Sequence, residues 1–135
     1  MSANIRRAAP QDIADITDMI HALAEFECAP DQCTVTETQI SAALFGNSPT
    51  VRGHVAEVDS ELAAMALWFL NFSTWDGVAG IYVEDLLVRP RFRRRGLARA
   101  LLAALAGECL GGQPQREWIT YRLSGQLSHS RAGPR

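Results

Sequence analysis

Residues 81–99, IYVEDLLVRPRFRRRGLAR, constrain the fold of this chain more than any other stretch. An apolar strand carrying Glu84 and Asp85 runs through a turn at Pro90 into an arginine-rich loop, and Gly96 then opens an amphipathic helix. That order of parts makes an anion site. The first turn of a helix leaves backbone N–H groups unpaired, and the aligned peptide dipoles add partial positive charge there, so phosphate oxygens are well accommodated. A glycine lets the ligand approach closely. Arg93, Arg94, Arg95 and Arg99 add guanidinium donors suited to phosphate, with two carboxylates one strand length upstream.

The remaining elements follow from periodicity. Asn4 to Ala8 reads as a short strand, ended by Pro10 and by a helix start that Asp12 and Asp15 enrich in negative charge. Ile13, Ile16, Met19, Ile20 and Leu23 give that helix one apolar face, ending near Phe26 ahead of the Cys28-Ala29-Pro30 break. A shorter helix runs from Glu37 to Phe45, and Val51 to Val58 alternates as a strand. Asp59-Ser60 turns into Leu62 to Leu70, apolar on both faces and therefore a central strand. Asn71 to Gly77 reads as a loop, Gly80 to Val88 as the next strand and Gly96 to Leu110 as the next helix, with Leu97, Leu101 and Leu105 on one side.

Composition sets the outer limits. A chain of 135 residues, 47% of them apolar, is one domain with one core. A formal net charge of -2 argues against bulk affinity for nucleic acid. Residues 1–110 hold 9 Arg against 14 Asp plus Glu, net -5, whereas residues 111–135 hold 4 Arg against one Glu, net +3. Cys28, Cys33 and Cys109 are odd in number and lack paired spacing, so neither a disulfide framework nor a metal site is expected; reduced, mostly packed thiols are. With no signal-peptide core and no long apolar run, the expectation is a soluble cytoplasmic protein without a membrane partner.

Arg93-x-x-Gly96-x-Ala98, after a strand and opening a helix, matches the pyrophosphate signature [RQ]-x-x-G-x-[GA] of the GNAT superfamily of acetyl-CoA-dependent N-acetyltransferases. The order strand, helix, helix, three strands, signature, helix is the order that fold requires. From Asn4 to Leu110 the chain also resembles the diamine (spermidine/spermine) N-acetyltransferase branch, through IRRAAPQD, ALAEFE, LWFLNFSTWDG and IYVEDLLV. The resemblance implies an α/β acyl-CoA N-acyltransferase fold, a mixed and mostly antiparallel sheet with flanking helices. It also implies acetyl-CoA as donor, a small-molecule primary amine such as a polyamine as acceptor, and a homodimer.

The resemblance also assigns roles. The cofactor's pantetheine arm would pair with the fourth strand near Leu86 and Val88, where two neighbouring strands splay apart, and its diphosphate would sit on the loop and first turn formed by Arg93, Arg94, Arg95, Gly96, Leu97, Ala98 and Arg99. Glu84 matches the family's base, which must take a proton from an amine of pKa about 10 before it can attack a thioester. Asp85 matches a position that grips the acceptor's cationic end. Glu27 and Trp75 match residues lining a polyamine channel, by ion pairing and by the indole face. The plainer alternatives are a carboxylate pair at a strand bulge pointing to opposite faces, a solvated helix-end Glu27 and a Trp75 anchored over the core. His21 and His54 match no family motif and are expected to be packed or exposed.

Past Leu110 the family pattern stops. Residues 1–110 read as an incomplete acetyltransferase domain and 111–135 as an atypical basic, poorly ordered tail without lysine, holding one strand-like piece from Trp118 to Leu123. No N-x-x-A-x-x-[FL]-Y-x-x-x-G segment supplies the tyrosine that protonates the leaving thiolate; the tyrosines are Tyr82 and Tyr121. A frameshifted gene copy is the expectation this raises, with the fourth strand's edge left unpaired unless Trp118 to Leu123 covers it. Two rival functions remain: a catalytically dead CoA-binding or dimer-forming remnant, and an RNA-binding module using RPRFRRRG, against which the net acidity counts.

Overall fold

The computed structural model describes residues 2–75, 77–108, 119–123 and 130–132. Nine regular elements follow in order: β1 (Ala3–Arg7), α1 (Ile13–Phe26), α2 (Glu37–Phe45), β2 (Arg52–Val58), β3 (Glu61–Ser73), β4 (Val78–Val88), α3 (Leu97–Glu108), β5 (Ile119–Leu123) and β6 (Ser130–Ala132). The strands form one sheet in the order β1-β2-β3-β4-β5-β6. Every neighbouring pair is antiparallel except β4 and β5, which run parallel.

Helices cover both faces, and each face has its own core. On one, Leu97, Leu101 and Leu105 of α3 pack on Ala64, Ala66, Trp68, Val83 and Leu86. On the other, Ile16 and Met19 of α1 and Leu44 of α2 pack on Val55, Met65, Leu67 and Leu87. The apolar period of α1 is thus spent on the sheet, with Ile16, Met19 and Leu23 buried and Ile13 and Ile20 half-buried. Its entry is fastened by Asp12, 4% exposed, which accepts both Arg6 guanidinium nitrogens at 2.7 and 3.0 Å and the Ala9 N–H at 2.7 Å. Burial alone would raise the Asp12 pKa; these bonds outweigh it and hold the carboxyl below its usual range.

The start of α2 is a reciprocal cap. The Gln39 N–H donates to Thr36 Oγ1 at 3.2 Å, and the Thr36 N–H donates to Gln39 Oε1 at 3.0 Å. The β2–β3 turn uses Asp59 and Ser60 at φ 51 and 66, the mirror-image turn that matches strand twist. These elements lie where periodicity puts them. The end of β3 does not. It runs to Ser73 and pairs with β4 as far as Ser73↔Val78, so the predicted loop over 71–77 shrinks to 74–77. This extension is hydrogen-bonded without being buried, with Leu70 49% and Phe72 65% exposed, and burial periodicity cannot signal it.

Two further expectations change. Cys28 is exposed and Cys33 half-buried, so Cys28 is not packed; Cys109 lies outside the described residues. The edge of β4 is not left open, because β5 pairs with it through Val83↔Tyr121 and Leu86↔Leu123. Within the strand-like piece read at Trp118 to Leu123, residues 119–123 are therefore the covering segment, and Trp118 and the rest of that tail, apart from β6, lie outside the described residues. Among the described residues no helix is long and apolar enough to cross a membrane, and no three His, Cys, Asp or Glu gather as metal ligands.

Candidate functional site

The site starts from a single extra residue in β4. Leu67 of β3 pairs with Asp85 and its neighbour Trp68 pairs with Val83, so Glu84 is the inserted residue of a β-bulge. Three steps of β4, from Val83 to Leu86, likewise oppose two of β5. The insertion resets the side-chain alternation, and Val83 and Leu86 both enter the α3-facing core while Leu87 enters the other. Glu84 and Asp85 fall between them, half-buried. Both border the same cleft, on the face covered by α1 and α2, and the opposite-face alternative does not hold.

That cleft has a volume of about 410 Å³. Besides the two carboxylates, Ile20 of α1, residues 32–35 of the α1–α2 connection, Gln39, Ile40, Ala43 and Leu44 of α2, Val51, and Leu67 of β3 line it. His21 holds the connection in place by donating through Nε2 to the Val35 carbonyl at 2.9 Å. The histidine carried no motif, and its partner lies fourteen positions away, so sequence reasoning passed over it. Glu27 and Trp75 do not line this cleft. Glu27 is exposed at the C-terminal end of α1, and Trp75, 97% exposed at the tip of the β3–β4 hairpin, is not anchored over the core.

The arginine loop begins past Val88, about 13 Å along the strand from Glu84 at ~3.3 Å per residue. Pro90–Phe92 form a single tight turn whose Phe92 is buried in the α3-facing core. Two arginines are spoken for: Arg89 pairs with Asp15 at 3.1 Å and Arg91 pairs with Glu61. Arg93 donates from Nε to the Val88 carbonyl at 3.2 Å, and its guanidinium carbon lies 5.8 Å from the Phe26 ring centre. Arg95 lies 5.4 Å from the Phe92 ring centre. Among the described residues no carboxylate pairs with Arg94 or Arg99.

Arg94 and Gly96 bend this loop into the helix with φ 64 and 76. A Cβ built at Gly96 meets nothing within 4 Å, so the outer side of that residue is open. The first helical bond of α3 runs from the Ala100 N–H to the Gly96 carbonyl at 3.0 Å. The N–H groups of Leu97, Ala98 and Arg99 precede it and have no partner within the helix. Leu97 is buried, Ala98 half-buried and Arg99 exposed, which turns the first turn outward at Arg99. At the β4 edge, Leu86 faces Leu123 of β5, and Val88 lies two residues beyond the last β4–β5 pair.

Comparison with known proteins bears on this arrangement. Residues 17–120 match the profile described as the acetyltransferase (GNAT) family. The chain is 33% identical to a thialysine N-epsilon-acetyltransferase of Mus musculus, over 78% of its own length and 66% of the relative's. It is 37% identical to one of Caenorhabditis elegans, over 72% and 59% respectively. An L-ornithine N5-acetyltransferase of Arabidopsis thaliana is 24% identical, over 88% and 72%. The chain thus spans less than two thirds of the length of the thialysine relatives it matches. A solved acetyltransferase of Vibrio fischeri shares the fold with TM-score 0.67 at 19% identity, over 96% of this chain and 99% of that one.

Proposed function

The chain belongs to the GNAT acetyltransferase family, and on that premise we propose that it transfers an acetyl group from acetyl-CoA to a small primary amine of the aminoalkyl class, the polyamines included. The observation that carries this reading is the bulge, which sets Glu84 and Asp85 together on one cleft, one strand end away from a glycine-opened helix. Acetyl-CoA would supply the acetyl group as an activated thioester. The loop suits its diphosphate: three helix N–H groups lack intrahelical partners, Gly96 leaves open space, and Arg94 and Arg99 have no carboxylate partner among the described residues.

In this reading Glu84 accepts the proton of the ammonium, directly or through a water, and Asp85 holds the acceptor by its charge. The half-buried position of both carboxylates strengthens that attraction relative to open water. The C–N bond then forms as the C–S bond breaks. Of the two protons the nitrogen loses, one leaves through Glu84 to solvent and the other ends on the thiolate sulfur. Water or Tyr121 would relay that last proton from nitrogen to sulfur, Tyr121 being the β5 residue whose backbone is in register with Val83 beside the bulge.

Thiol release from acetyl-CoA, followed against a panel of primary amines, tests the reading. Amine-dependent release that Glu84→Gln abolishes is the expected result. Thermal stabilisation by acetyl-CoA without thiol release for any amine would leave only cofactor binding.

A further inference from the structure

The arginine loop carries a costly backbone conformation. Arg94 sits at φ 64, a left-handed geometry that a side chain disfavours, and Gly96 follows at φ 76. Backbone bonds close the turn ahead of it, from the Phe92 N–H to the Arg89 carbonyl at 2.9 Å and from the Arg93 N–H to the Pro90 carbonyl at 3.3 Å. Arg93, the residue just before the left-handed step, is held by its side chain as well. Its Nε donates to the Val88 carbonyl at 3.2 Å, and its guanidinium carbon lies 5.8 Å from the centre of the Phe26 ring, close enough for a cation–π attraction.

Phe26 is the last residue of α1, and it is exposed, whereas Ile16, Met19 and Leu23 of the same helix are buried. That helix grips the loop a second time. Asp15, about three turns earlier and so on nearly the same side of α1, pairs with Arg89 at 3.1 Å, where the chain leaves β4. The tight turn at Pro90–Phe92 is thus clasped to α1 on both sides. Between the two grips in sequence, Ile20 borders the cleft of Glu84 and Asp85, so one helix sets the loop against the carboxylates.

We infer that Phe26 is a positioning residue for the cofactor: by holding the Arg93 guanidinium it keeps the backbone from Arg94 to Arg99 turned so that its N–H groups converge on the diphosphate of CoA. Phe26 acts through Arg93 rather than on CoA itself. The inference rests on the cofactor half of the reading above and is independent of which amine is acetylated.

A double-mutant cycle on CoA binding tests it, by isothermal titration of the purified chain with CoA. Arg93→Gln removes the cation and keeps a hydrogen-bond donor, since glutamine Nε2 stands as many bonds from the backbone as arginine Nε and can still reach the Val88 carbonyl. Phe26→Leu should weaken CoA binding about two- to fivefold, the range of an exposed cation–π pair, and Phe26→Tyr should restore it. In the Arg93→Gln background Phe26→Leu should have no further effect. An unchanged affinity in Phe26→Leu overturns the inference, as does a loss that tyrosine does not restore or one of equal size in both backgrounds, which marks a general structural role. If the unaltered chain does not bind CoA, the acetyltransferase reading fails and this inference fails with it; if it binds and the cycle shows no coupling, the inference alone fails.

Discussion

The indole N–H of Trp68 donates to Nδ1 of His54 at 3.0 Å, with both side chains buried. That bond leaves the ring proton of neutral His54 on Nε2, which lies 3.3 Å from Glu108 Oε1 at the end of α3. Arg7 completes the chain by donating from Nε to the same oxygen at 3.0 Å and from a terminal nitrogen to Oε2. Strands β1, β2 and β3 are thereby tied to the last turn of α3, whose first turn is the proposed diphosphate cradle. The helix is held at its far end by hydrogen bonds and along its length by Leu97, Leu101 and Leu105.

This linkage makes stability depend on pH. Burial lowers the His54 pKa from the ordinary 6.5, outweighing the attraction of Glu108. The unfolded chain therefore takes up the proton first, so the contribution of neutral His54 is fully present above pH 6.5 and declines as pH falls from there toward the folded value. The bond from Arg7 lowers the Glu108 pKa below 4.5, so the carboxylate's contribution is lost at more acidic pH, as pH falls through its folded value. Urea melts between about pH 7 and about pH 5 should show a decline that His54→Gln, which keeps an acceptor for Trp68, largely removes. An unchanged pH slope in the variant would refute the linkage.

Much of this was legible in the chain because the relevant chemistry is contiguous. Glu84, Asp85 and the Arg93 to Ala98 signature lie within one strand, one loop and one helix start, and the apolar periods of α1 and α3 show directly which faces they bury. Features that depend on pairing were not. The bulge at Glu84 is fixed by its register against Leu67 and Trp68, and the cleft walls by how residues 32–35 and α2 dock over β4. The His54 network draws on four separate elements. Glu27 and Trp75 were singled out by resemblance, yet both lie outside the cleft that holds Glu84 and Asp85.

Glu84→Gln removes the proton acceptor while keeping the bulge's shape. A positioned base contributes about 10²–10⁴ in rate, so kcat should fall within that range while the KM for acetyl-CoA holds. Raising the pH should restore part of the lost rate, because the fraction of already neutral amine rises toward its pKa of about 10. Steady-state rates across pH check both points, and a kcat within a factor of about two of the wild type would exclude Glu84 as the base.

Gly96 is tested through its backbone. At φ 76 an alanine is strained by about 1–2 kcal/mol, yet its methyl group meets no protein atom. The loop can relieve this strain by rotating out of the geometry that aims the Leu97 to Arg99 N–H groups together. Gly96→Ala should raise the KM for acetyl-CoA by about tenfold while leaving the amine KM near its wild-type value. Isothermal titration with CoA separates this from a general loss of fold, which would lower the melting temperature without selectively weakening cofactor binding.

His21 should act on the acceptor and leave the cofactor alone. Its ring N–H donates to the Val35 carbonyl at 2.9 Å, and Val35 is part of the cleft wall. Loss of one such bond costs about 1 kcal/mol, here as order in the connection that borders the amine. His21→Ala should therefore raise the amine KM about three- to tenfold with little change in kcat or in the KM for acetyl-CoA. His21→Gln, which can present an amide N–H to the same carbonyl, should recover most of the loss. A kcat defect without a KM change in His21→Ala would instead point to a direct part in proton transfer, which a bond to a backbone carbonyl does not suggest.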